Sequence, residues 1–410
     1  MSADIVARGL ANRVQKSANT RALIAAIRSN GALPAGSYRT AANDVPTFTL
    51  GASGAASLLN ARANTNPFVA RTDARLTYLS GVPVLAGSAY PQNLYMWSRG
   101  GYYGAKNALG DPLRAAPYHA CEFGHSGTGF ELPILCSSTG LVRLLVDGTI
   151  AGTYTNATAD GSLRMLKVDF PVSRSRRIVI ESTGPVFNGV NPAADTDVSA
   201  SGRAYPLITV MGDSFVEPTG VALGAQGEAA VMGRVLGCNT ALAGVGGSGL
   251  LVTGGTNTAG FAKTTWQNAT RLFDLTLGGV TSDQTGTTVS PAMGVVMLSV
   301  NDPGTSAGWG GAATAQEAVA KACWVLIDGW ALANPGKPLV FFGPTFPTEN
   351  PLLDLYRVRD GALEACAAAA LKNVWFIDRL GPGPQLRKGA SGATGAGTQP
   401  SSIPPTSSAT

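Results

Sequence analysis

Histidine is almost missing from this chain: two occur in 410 residues, His119 and His125. Any chemistry that needs an imidazole must use one of them. Charged side chains are scarce as well, at 13%, about half the share of an ordinary soluble domain. The net charge is only +5, and the positive residues are scattered apart from the N-terminal segment and Arg174–Arg177. No basic stripe interleaved with aromatics is present, so no nucleic-acid partner is expected. The five cysteines, Cys121, Cys136, Cys238, Cys323 and Cys366, form no CxxC pair, and their odd number excludes a complete disulfide framework. Cys121 and Cys136 bracket a candidate hairpin that would let them pair, but free thiols are the preferred reading. No Cys/His spacing suits zinc, and acidic residues are too sparse for a calcium or magnesium cage, so neither metal nor cofactor is expected. No apolar run approaches the ~18 residues of a membrane span. Met1–Arg28 lacks a continuous apolar centre and a cleavage site, so no membrane and no signal peptide are expected.

What the chain does have is glycine, 52 residues, and an apolar content of 45%, enough for a substantial core. Four regions are expected. Residues 1–75 read as a helix over Asp4–Arg28 followed by an extended attachment segment. The helix stripe Ile5, Val6, Leu10, Val14, Leu23, Ile24 and Ile27 needs a partner to cover it. Residues 76–204 read as short strands, among them Arg75–Tyr78, Leu141–Val146, Leu163–Phe170 and Arg177–Glu181. Asp147-Gly148 is a hairpin turn signal. Strands so spaced imply a β-sandwich or jelly roll. Residues 205–387 alternate strands and helices, which implies a parallel sheet with both faces covered. Residues 388–410 are a low-complexity tail. The aromatics Tyr95, Trp97, Tyr102 and Tyr103 cluster locally, as a core or strand edge or as a sugar-stacking surface.

Chemistry concentrates in the third region. Thr209-Val210-Met211-Gly212-Asp213-Ser214-Phe215 sets a serine just past a buried parallel strand, at the sheet edge where ligands of open α/β sheets bind. Ala243-Gly244-Val245-Gly246-Gly247-Ser248-Gly249 is a loop whose backbone amides can approach a substrate oxygen. Leu298-Ser299-Val300-Asn301-Asp302 ends the next strand on a side-chain amide that can donate to the same oxyanion.

In this order, each at a strand end, the three segments resemble the SGNH (GDSL) hydrolases, and the resemblance covers about 205–385. It implies a flavodoxin-like three-layer α/β domain. It also implies Ser214 as nucleophile, backbone amides of Ser214 and Gly247 and the side chain of Asn301 as oxyanion donors, and no cofactor. Ser299 stands where that family has glycine, and Leu242 where an asparagine often precedes the glycine block. The preceding β-region is similar to the jelly roll found before this domain in some carbohydrate esterases and phage-encoded relatives.

The family's fourth block, Asp-x-x-His, is not found. Near the C-terminus Ser401-Ser402-Ile403-Pro404-Pro405-Thr406 stands in its place, and Pro404 accepts no proton. Three explanations remain open: a catalytically dead relative, a chain truncated or shifted near its end, or His125 supplied by the β-region. The expected protein is a bacteriophage virion component of the tail, fibre or spike, reaching the host surface after lysis. Its SGNH-like domain would be weakly active or inactive in a structural or surface-binding role. Other virion proteins, a second copy of itself and host-surface polysaccharide are the expected partners. The alternative is an active serine esterase or deacetylase acting on that polysaccharide.

Overall fold

The computed structural model describes residues 45–54, 56–63, 67–86, 93–97, 104–106, 112–114, 118–136, 139–217, 221–244, 249–251, 291–298, 301–302, 312–344, 353–369 and 372–379. The leading helix expected over Asp4–Arg28, Gly247 and the 388–410 tail lie outside them, and so do Tyr102 and Tyr103.

The first sheet begins with three short strands, β1 (Thr47–Leu50), β2 (Val69–Ala70) and β3 (Thr77–Tyr78). Two small antiparallel ribbons follow, β4 (Val82–Ala86) with β5 (Asn93–Trp97), and β6 (Gly104–Lys106) with β7 (Pro112–Arg114). The sheet's spine is β8 (His119–Leu135), β9 (Gly140–Val146), β10 (Thr149–Asn156) and β11 (Leu163–Thr183); β12 (Val186–Phe187), β13 (Gly189–Pro192) and β14 (Asp197–Ser199) complete it. Ten strands are joined along the order β10-β9-β11-β8-β13-β2, with β1, β3, β12 and β14 on side branches. Because β1 pairs with β11 and β2 with β13, the segment expected to be a connector before residue 76 belongs to this sheet.

The expected strands Leu163–Phe170 and Arg177–Glu181 are one strand. Its register against β8 shifts between Asp169 and Arg174, and the exposed stretch Pro171–Ser175 bulges without breaking it. Buried Arg176 holds the bulge by donating to the carbonyls of Gly127, Arg174 and Val172. Cys121 and Cys136 do not bracket a hairpin, since an unbroken strand runs between them; both are buried free thiols. The Asp147-Gly148 turn does join β9 to β10, with φ of 53° and 89°, the left-handed pair of a tight hairpin.

The second sheet is parallel throughout. Its strands are β15 (Leu207–Gly212), β16 (Asn239–Gly244), β17 (Met293–Met297), β18 (Leu339–Phe342) and β19 (Val374–Ile377), in the order β16-β15-β17-β18-β19. Among the described residues three α-helices intervene: α1 (Glu228–Leu236), α2 (Ala315–Ala333) and α3 (Leu353–Ala368). Met211, Val296, Leu339 and Phe341 face Val319, Cys323, Leu326 and Trp330 of α2 and Val358 and Ala362 of α3. Ile208, Val210, Val295 and Met297 face Ala229 and Ala230 of α1. Side chains that alternate between two covered faces make three layers, as the near-continuous apolar strands require. Tyr118 and Ala120, at the start of β8, join the α1-side core, so the two sheets share buried surface. No described helix is long and apolar enough to cross a membrane.

Candidate functional site

Numbered within its own sheet, the parallel sheet has the order 2-1-3-4-5, which reverses between its first and third strands. Open α/β sheets bind ligands at the carboxyl edge beside that reversal. Here the reversal lies between β15 and β17, and these two strands lead to Ser214 and Asn301. Gly212 stands beside Gly244 in the pairing of β15 with β16, and Met211 beside Val296 in that of β15 with β17. The three motif segments therefore leave the sheet side by side at one edge.

Ser214 is half-buried in a tight turn. Buried Asp213 organises this turn: its Oδ1 accepts from the Phe215 N–H at 2.9 Å, and its carbonyl accepts from Val216 at 3.1 Å and Glu217 at 3.0 Å. The turn lies directly on Gly244. A Cβ at that glycine would sit 2.3 Å from the Glu217 nitrogen and 2.6 Å from the Val216 carbonyl carbon. Glycine is thus required where β16 runs under the serine turn, a demand of space rather than of backbone angle.

Asn301, half-buried, follows β17, and Asp302 beside it is wholly buried. The Asp302 carboxylate accepts from the N–H of Leu250 at 2.7 Å and of Leu251 at 2.8 Å, so the segment leaving the glycine block is fastened to the Asn301 segment. Gly247 is outside the described residues; Gly249, at the block's end, lies against Asp302.

Two further charged residues were not anticipated from the sequence. Glu228 opens α1, and its carboxylate pairs with Arg379, just beyond β19, at 2.7 Å. Burial pushes the Glu228 carboxyl above its usual range, Arg379 opposes this, and the Asp213 carboxylate adds to the rise. Nothing local in the sequence signals a pair formed across about 150 residues.

His125 is not brought to this edge. It lies in β8 between Arg176 of β11 and Val198 of β14. Its ring packs 5.2 Å from Phe130 and 5.5 Å from Phe170. It is 3% exposed, in the core of the antiparallel sheet, about 17 Å along an extended strand from Ala120, where the two sheets meet. His119, at the start of β8, is also buried. Burial lowers both imidazoles to about 4. Among the described residues no three His, Cys, Asp or Glu side chains are grouped to hold a metal ion.

No protein-family model matches the sequence, and no curated protein is significantly similar to it. Solved structures are similar to it in fold. A salicylyl-acyltransferase from a tetracycline biosynthetic pathway superposes with a TM-score of 0.54 at 15% identity, over 79% of this chain and 89% of the other. A family two carbohydrate esterase from Clostridium thermocellum, an active-site mutant, gives 0.52 at 14% identity over 76% and 89%. The same organism's family two carbohydrate esterase in complex with cellohexaose gives 0.51 at 14% identity over 74% and 88%. These shares exceed the parallel-sheet unit alone, which is less than half of the chain, so the likeness extends into the antiparallel unit. At such identities the comparison bears on fold and not on activity. Three-layer architecture, strand order and these neighbours agree: the chain has the fold of the SGNH hydrolases.

Proposed function

We propose that this protein binds an O-acylated carbohydrate at the Ser214 edge and turns it over weakly or not at all. The observation that carries this reading is a division of parts. The strands that lead to Ser214 and Asn301 are neighbours at the switch point of the parallel sheet, and the end of the glycine block is bonded to Asp302 beside Asn301, whereas both histidines are buried in β8. An oxyanion pocket without a base keeps part of a serine hydrolase's advantage, ~10³-fold over water, and forfeits the rest. The setting we propose is a virion, in which the domain serves structure or host-surface attachment together with other virion proteins.

A second reading is an active serine ester hydrolase of the carbohydrate O-acetylesterase type, acting on surface polysaccharide. It is favoured by the fold neighbours, two of which are named as carbohydrate esterases. Turnover of p-nitrophenyl acetate by wild type and by Ser214→Ala separates the two. The first reading expects slow hydrolysis, well under the ~10 s⁻¹ of an ordinary enzyme. Turnover at or above that value, abolished by Ser214→Ala, would establish the second.

A further inference from the structure

We propose that Asp302 is a positioning residue: its carboxylate clamps the segment after β16 to the segment after β17 and so holds the two oxyanion-donating blocks in register. The inference rests on the reading of the Ser214 edge as an ester-binding site.

Three observations support it. Asp302 is 0% exposed. Its two carboxylate oxygens take the N–H groups of two consecutive residues, Leu250 at 2.7 Å and Leu251 at 2.8 Å, one each. Bonds from backbone N–H to an ionised acceptor are about twice as strong as neutral ones, and burial strengthens them. The fit at Gly249 is equally tight: a Cβ there would fall 2.1 Å from Oδ1 and 2.5 Å from Cγ of Asp302. Gly249 has an ordinary backbone angle, so glycine is needed at this position for the carboxylate's room alone. The contact lies beyond the described ladder, since β16 ends at Gly244 and β17 at Met297. The clamp ties the two segments together there. Because Asp302 adjoins Asn301 in the chain, fastening one block fixes its distance from the other, and oxyanion stabilisation depends on such distances to fractions of an ångström.

The test uses the full-length protein with Asp302→Asn and Gly249→Ala, which attack the contact from opposite sides. Asparagine keeps the shape but turns an N–H toward one of the two amides. Alanine pushes the carboxylate away. Each variant is expected to raise hydrogen exchange at the Leu250 and Leu251 amides by roughly 10-fold or more, since each frees an amide now bonded in the interior. Each is also expected to lower the Ser214-dependent kcat on p-nitrophenyl acetate by about 10- to 100-fold, with KM little changed, as loss of a transition-state interaction requires. Unchanged exchange in the folded variants overturns the proposal, as does faster exchange with an unaltered kcat. If wild type shows no Ser214-dependent turnover, it is the ester-hydrolysing reading that fails, and exchange alone then decides for or against the clamp. Should Asp302→Asn not fold, Gly249→Ala carries the same measurements.

Discussion

His119 and His125 are the only imidazoles in the chain, and each is held uncharged by its surroundings. Burial lowers both to about 4, against about 6.5 for an exposed histidine. For His125 the nearby Arg176 guanidinium acts in the same direction. The unfolded chain therefore takes up protons at a pH where the folded chain does not. Stability from the neutral rings is fully present above about 6.5, declines as pH falls toward about 4, and is constant below it. The loss should be on the order of 3 kcal/mol for each histidine. Urea midpoints measured from pH 7 to pH 4 should fall accordingly, and His125→Phe should flatten that slope. A midpoint independent of pH over this window would show that the rings are not buried neutral. The sequence made His125 conspicuous because it was one of two. Burial depends on Phe170 arriving from β11 to join Phe130 of His125's own strand, and no local pattern records that.

Helix α2 shows how much a short motif can specify. Thr314 caps it, its Oγ1 accepting from the Glu317 N–H at 3.1 Å, while Glu317 reaches back to the Ala313 N–H at 2.8 Å. Thr-x-x-Glu before an apolar run is a capping-box signature. Thr314→Ala should cost about 1 kcal/mol and lower the melting temperature without altering the serine site; no change in melting would mean that the cap is not formed in solution. Much of the parallel unit was legible for this kind of reason. Helices over Thr314–Ala333 and Leu352–Leu371 and strands over Leu207–Met211, Pro338–Phe342 and Val374–Asp378 were expected from period and punctuation, and they stand within a few residues of those limits. Ser214 and Asn301 could be placed together because each follows a buried strand in a regular alternation. The antiparallel unit was less legible. β8 and β11 are 17 and 21 residues long, buried on both sides for much of their length, so the apolar/polar alternation that marks a half-exposed strand is blurred. The Asp302 clamp was hidden for another reason: its partners are backbone amides, which have no identity in a sequence.

At the level of the whole molecule the two sheets are joined by charge as well as by apolar surface. Glu181, 3% exposed in β11, accepts from Nε of Arg143 at 2.7 Å and lies 3.3 Å from the Arg234 guanidinium of α1. Removing the shared carboxylate would leave buried Arg143 without its counter-charge. Glu181→Leu should therefore cost about 3–5 kcal/mol, and because the cluster spans both units it should destabilise both together. Calorimetry that showed the parallel unit melting as in wild type would refute this coupling.

The other seam between the units is of backbone. Leu79 accepts from the Thr240 N–H at 3.2 Å, and Gly81 exchanges two hydrogen bonds with the Asn239 side chain, at 2.7 and 2.9 Å. This stretch, from the chain just after β3, runs along β16, the outer strand of the parallel sheet. An outer strand with free N–H and C=O groups is an invitation to self-association, and here the opening turn of that strand is already occupied by the neighbouring unit. The antiparallel unit is thus a guard for the hydrolase-like one as well as its neighbour. Removing it would uncover the start of β16, at Asn239 and Thr240, to other chains.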